Sequence, residues 1–144
     1  MKVLIIGGGG FVGQKLARRL AKGDTLRGQK IETLVLADVV DPVGIDAPFA
    51  VETATCDISN PADVDALIGS DVDVIYLLAA IVSGQAEVDL DLGYDINMIG
   101  TMNVLQRCRA LPHAPVVVFT SSIAVFGGDE INVISVLWCA KSNW

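Results

Sequence analysis

The apolar positions of this chain come in short continuous runs, among them Val3–Ile6, Leu34–Ala37, Val74–Val82 and Val116–Phe119. Runs of that kind suit strands buried on both faces of a parallel sheet. After the first run and four glycines, apolar Phe11, Val12, Leu16 and Leu20 alternate with basic Lys15, Arg18, Arg19 and Lys22. That pattern predicts an amphipathic helix ending near Lys22. Gly23, Asp24 and Gly28 then mark a polar loop. Further strands are predicted at Ile31–Asp38, Phe49–Cys56, Val72–Ala80 and Val116–Thr120. Pro61 opens a short helix whose apolar contacts include Val64, Leu67 and Ile68, and Gly69-Ser70 ends it. Ile81–Val88 reads as a loop, and Leu92–Arg109 as a long helix. Strand and helix alternate throughout, which predicts an α/β fold, a doubly wound parallel sheet of about five strands.

The junction of the first strand and helix carries chemistry. Gly7, Gly10 and Gly13 have the spacing G-x-x-G-x-x-G. Gly7 can take backbone angles closed to other residues. Gly10 leaves room for a pyrophosphate, and Gly13 lets helix and strand pack closely. The helix start offers N–H groups and partial positive charge to phosphates. The alternative is a glycine-rich turn with no ligand. Its position between strand and helix favours a Rossmann-like dinucleotide site.

Asp38 ends the second strand, 25 positions after Gly13. A dinucleotide fingerprint places an acid about 20 positions on, against the adenosine ribose. The loop at 23–30 accounts for the extra length. No Lys or Arg closely follows Asp38, and a carboxylate there repels a 2′-phosphate, so NAD is expected over NADP. A plain strand-end acid is the bland alternative. Asp57 stands at another strand's carboxyl end, where open α/β sheets bind ligands; capping the next helix explains it equally well. Ser83-Gly84-Gln85 offers polar substrate contacts or is simply a solvated loop. Asn97 is a poor helix former inside a helix, and is either a ligand contact or a surface residue. Thr120-Ser121-Ser122 places three hydroxyls at the last strand's end.

Composition narrows the classes. The chain has 144 residues, enough for one domain, and 52% are apolar, enough for a core. A net charge of −7 argues against nucleic acid. No apolar run approaches the ~20 residues of a membrane span. Lys2 and the apolar run after it resemble the start of a leader, but Gly7–Gly10 cut it off, so the expected location is cytoplasmic. Cys56, Cys108 and Cys139 have no C-x-x-C spacing and read as buried thiols in a reducing compartment. His113 is the only histidine and reads as a loop residue, so no multi-histidine metal site is expected.

Six motifs in order carry a resemblance: Ile6–Gly13, Asp38, Asp57-Ile58, Leu78-Ala79-Ala80, Asn97–Asn103 and Thr120–Gly127. The chain resembles the extended short-chain dehydrogenase/reductase family, the NAD-dependent epimerase/dehydratase group. The long loop before Asp38 and the stretch 79–93 are similar to the D-erythronate dehydrogenase branch, whose members use NAD to oxidise a hydroxyl of a four-carbon sugar acid. The resemblance implies that Gly7, Gly10, Phe11 and Val12 lie at the pyrophosphate, with Gly13 in the same cofactor-binding turn, and Asp38 at the adenosine ribose. It puts Asp57 and Ile58 at the adenine. Leu78, Ala79 and Ala80 would line the cofactor, with Asn97, Thr120 and Ser121 nearby. Ser122 matches the catalytic serine that bonds the reacting substrate oxygen; Ser83 and Ser122 are the expected substrate contacts. The implied partners are a small-molecule sugar acid or nucleotide sugar and a second copy in a homodimer, with no membrane, nucleic acid or metal.

The departure is at the base. The family's Tyr-x-x-x-Lys pair lowers the phenol's pKa for proton removal. Here Tyr76 and Tyr94 are followed four positions on by Ala80 and Met98. The expected organisation is an NAD-binding domain over 1–128 and an atypical tail over 129–144, the product of truncation or an altered reading frame. Such a chain is expected to be nearly inactive alone. The rival readings are an epimerase/dehydratase fragment, a non-catalytic dinucleotide-binding regulatory module, and a nonfunctional truncated product.

Overall fold

The computed structural model describes residues 1–122, with the side chain of Ser83 outside the description. The tail expected at 129–144 and the thiol of Cys139 also lie outside the described residues. Strand β1 (Lys2–Ile6) leads into helix α1 (Phe11–Gly23), then a hairpin of β2 (Thr25–Leu26) and β3 (Gln29–Lys30). Strands β4 (Thr33–Asp38) and β5 (Ala50–Thr55) follow, then helix α2 (Pro61–Leu67) and strand β6 (Val74–Leu77). Helix α3 (Ser83–Val88) precedes a continuous helical run. That run comprises α4 (Leu90–Tyr94), a π segment (Asp95–Gly100) and α5 (Thr101–Ala110), and strand β7 (Val116–Phe119) comes last.

The main sheet has the order β5-β4-β1-β6-β7 with every pair parallel. The order reverses at β1, so loops on its two sides diverge and open a crevice at the strands' carboxyl ends. Leu4 is in register with Val35 on one side and Ile75 on the other. Alternate residues of β1 feed opposite faces. Leu4 and Ile6 pack with Val64 and Ile68 beside α2 and with Val104 and Cys108 of α5. Val3 and Ile5 pack with Ala17 and Leu20 of α1. The expected double-faced burial holds for β1 but not for the sheet's ends. Val116, Val118 and Phe119 of β7, the last strand of the sheet among the described residues, are exposed.

Several expectations need correction. The loop expected at 23–30 contains the β2–β3 hairpin, and Arg27 and Gly28 at its tip have φ of 55° and 78°. Paired positive angles are what a two-residue hairpin turn requires. The loop expected at 81–88 contains α3, and the bond from Ala86 N–H to the Val82 carbonyl is part of its helical pattern. The strand expected at Val72–Ala80 is β6 and stops at Leu77, since Leu78 and Ala79 both turn their N–H groups to the single carbonyl of Ile6. Phe11 and Val12 are exposed, and α1 buries Gly13, Ala17 and Leu20 instead. The Lys15 Nζ lies 4.4 Å from the centre of the Phe11 ring. No helix among the described residues is long and apolar enough to cross a membrane.

Candidate dinucleotide site

The turn after β1 is built without side chains for steric reasons. Gly7 has φ +92°, and a Cβ there would lie 2.7 Å from the Ala79 nitrogen. A Cβ on Gly13 would overlap the Gly7 carbonyl oxygen. Gly7 and Gly8 both donate to the Ala37 carbonyl at 2.8 Å, which ties the turn to β4. Gly10 differs: a Cβ would meet only the Gly7 oxygen, at 3.4 Å. Gly10 starts α1 with no side-chain cap, and no acid occupies the first turn. The helix start is left to an external anion.

Asp38 closes β4 at the edge of this turn. Its Oδ2 accepts the Gly9 N–H at 2.9 Å and its Oδ1 the Val39 N–H at 2.8 Å. Both bonds fix the carboxylate's orientation, and an ionised carboxylate has acceptor capacity beyond two bonds. Asp57 follows β5, where its Oδ1 accepts both the Ser59 N–H at 2.9 Å and the Ser59 hydroxyl at 2.7 Å. It does not cap α2; Asn60 does, accepting from the Ala62 N–H at 3.1 Å.

These elements surround a cavity of about 470 Å³. Gly7, Gly10, Asp38, Asp57, Ile58, Leu78, Ala79 and Ala80, all named as candidate cofactor contacts from the sequence, line it. Phe11, Val12 and Gly13 do not line it. Cys56, Ile81, Leu92 and Ile96 also line it and were not anticipated. The spacing of Leu92 and Ile96 on one helical face was the available signal, but it equally describes core packing. A second cavity of about 600 Å³ adjoins at the β6–β7 end and shares Ala79, Ala80 and Ile81. Asn97, Thr120, Ser121 and Ser122 line this one. The structure therefore separates the expected site residues into two neighbouring chambers. Ser83 opens α3, and its substrate role rests on a side chain outside the description.

Burial pushes the Cys56 thiol up to about 11, with the Asp63 and Asp57 carboxylates adding to the effect. Cys108 is also raised, chiefly by burial. Both are free and buried. Neither is a thiolate nucleophile near neutral pH.

The architecture and the glycine turn have counterparts among known proteins. A model of the NAD dependent epimerase/dehydratase family matches residues 3–136. The chain belongs to this family. Its cofactor is NAD, and the cradle fits one: the space that a side chain at Gly10 would take is open, beside an uncapped helix start and the Asp38 carboxylate at the tip of β4. The chain is 48% identical over 133 residues to a D-erythronate dehydrogenase of Cupriavidus necator, covering 90% of this chain and 41% of that protein. It is 41% identical to a D-erythronate dehydrogenase of Haemophilus influenzae, covering 90% and 40%. The crystal structure of a nucleoside-diphosphate-sugar epimerase from Agrobacterium tumefaciens superposes with a TM-score of 0.80 at 45% identity, covering 88% of this chain and 38% of that one. The chain thus spans about two-fifths of the length of these relatives.

Proposed function

We propose that this chain is the NAD-binding portion of an oxidoreductase that moves hydride between a sugar-acid hydroxyl, D-erythronate-like, and NAD. The observation that carries the proposal is the meeting of the Gly7–Gly13 turn and Asp38 at the rim of one cavity. In this reading, Gly7 and Gly10 admit the pyrophosphate against the start of α1. Asp38 accepts hydrogen bonds from the adenosine ribose and repels a 2′-phosphate. Asp57 and Ile58 flank the adenine. Bound NAD supplies the hydride acceptor. Ser122, in the second cavity, donates a hydrogen bond to the reacting oxygen, with Ser121 and Thr120 shaping the wall beside it.

The substrate class is supported by the two D-erythronate dehydrogenase relatives. A nucleotide-sugar substrate is the second reading, supported by the Agrobacterium epimerase's structural likeness. The 144 residues contain no Tyr-x-x-x-Lys pair, so proton removal has no assigned group and the chain alone should turn over little. Residues 1–128 form the dinucleotide domain of this proposal, acting in the cytoplasm and pairing as a homodimer.

Calorimetric titration of this chain with NAD and NADP tests the binding reading. NAD should bind more tightly, and Asp38→Asn should cost about tenfold to a hundredfold in NAD affinity by weakening charge-assisted bonds. Tighter NADP binding to the unaltered chain would overturn the role given to Asp38. Brisk oxidation of D-erythronate by the chain alone would show that proton removal does not need the missing pair.

A further inference from the structure

The crevice has two loop walls that the sheet does not hold. One follows β5 and carries Ile58 and Ser59; the other follows β6 and carries Ile81. Each is bonded to an asparagine of the same helical run. Asn97 accepts the Ile81 N–H at 2.8 Å through Oδ1 and donates Nδ2 to the Ile81 carbonyl at 2.9 Å. Asn103 donates Nδ2 to the carbonyls of Ile58 at 2.9 Å and Ser59 at 3.2 Å. Ile58 and Ile81 line the first cavity, whereas Asn97 and Asn103 do not. Gly100 stands between the two asparagines, and a Cβ there would lie 2.6 Å from Ile58 Cγ1. The helix can therefore close on this wall. Asn97 lies in the π segment and Asn103 three residues beyond it. Asparagine is unfavourable in a helix interior, and a side-chain amide that both donates and accepts matches a free peptide group at both ends.

We propose that Asn97 and Asn103 are positioning residues that hold the two walls of the dinucleotide crevice from one helix, Asn97 through Ile81 and Asn103 through Ile58 and Ser59. The inference rests on the NAD-site reading and adds a division of labour. Ile58 stands beyond β5 beside Asp57, on the same side of β1 as Asp38 at the end of β4, so Asn103 acts on the adenosine half. Ile81 stands beyond β6, where the two cavities adjoin, so Asn97 acts on the other half.

Calorimetry with NAD and with AMP separates the two roles. Asn97→Ala and Asn103→Ala should each weaken NAD by about threefold to tenfold, the worth of one or two partly exposed hydrogen bonds. AMP should bind less tightly to Asn103→Ala and unchanged to Asn97→Ala, a split that general loss of stability would not produce. Asn97→Asp and Asn103→Asp keep the side-chain size, remove the donors, and should repeat the pattern if an alanine variant folds poorly. Amide exchange at Ile81 should quicken in Asn97→Ala while the β1 amides keep their protection. NAD affinity untouched by all four substitutions would overturn the proposal, as would equal losses of AMP affinity in both alanine variants. If the unaltered chain binds no NAD, the cofactor reading fails instead. Exchange at Ile81 then decides the clamp alone, and an unchanged rate would end it.

Discussion

On the β4–β5 side of the central strand, the polar groups at the crevice are bonded to the chain itself. Asp38 is held by two backbone N–H groups, Asp57 by Ser59, and the glycine turn by the Ala37 carbonyl. On the β6–β7 side the described residues are more exposed. Strand β7 exposes Val116, Val118 and Phe119, and Ser121 and Ser122 stand exposed at its end. The first side is fixed before any ligand arrives, which lowers the ordering cost of binding. Among the described residues, the second side presents apolar surface, and the Thr120 hydroxyl donates to the Leu77 carbonyl at 3.3 Å. A nucleotide site can be completed by a strand, a turn and an acid close in sequence. The substrate site proposed over β6–β7 would draw on more distant elements, and the relatives extend well beyond the length shared with this chain.

Substitutions on the two sides should differ by a large factor. Gly13→Val would drive side-chain atoms into the Gly7 carbonyl and the Gly8 backbone. We expect a loss of up to about 3 kcal/mol in urea unfolding, together with loss of measurable NAD binding. Wild-type stability in this variant would mean that the turn is not rigid, and the contrast between the sides would break.

Cys56 sharpens the comparison through pH. Its folded thiol stays protonated up to about 11, against an ordinary value of 9.0. The unfolded thiol releases its proton first, so this contribution to stability is complete below pH 9 and disappears as pH rises toward 11. The loss should approach about 2 kcal/mol. It is read as the difference between wild type and Cys56→Ala in unfolding experiments across that range. A difference that does not change with pH would mean that water reaches the β5 wall.

The smallest effect belongs to the opposite edge. Val118→Thr on exposed β7 should change stability by less than about 0.5 kcal/mol. A loss several times larger in the same unfolding assay would show that β7 is covered in solution and that the second side is less open than drawn here.

Some of this site was legible because its chemistry is local. Gly7, Gly10 and Gly13 are read from their spacing after a strand, and Asp38 from its place at the end of the next one. Each depends on backbone sterics or charge within one β-α-β unit, which sequence order preserves. Asn97 shows the opposite. Its oddity in a helix is visible in the sequence, but neither a ligand contact nor a surface residue points to its partner Ile81, 16 positions earlier. Exposure of Phe11 and Val12 is likewise hidden, since apolar spacing reports a helical face but not what packs against each turn of it.

By itself, the sequence determined the alternation of strands and helices, the glycine turn, the acid at the second strand's tip and the family. Those follow from local periodicity and from residue types that only one backbone geometry accommodates. Tertiary structure alone decided that the site residues divide between two cavities, that Asp57 serves Ser59 while Asn60 caps α2, and that one helix grips both walls. Those are contacts between segments far apart in the chain, and their geometry exists only once the sheet has brought the strand ends to one rim.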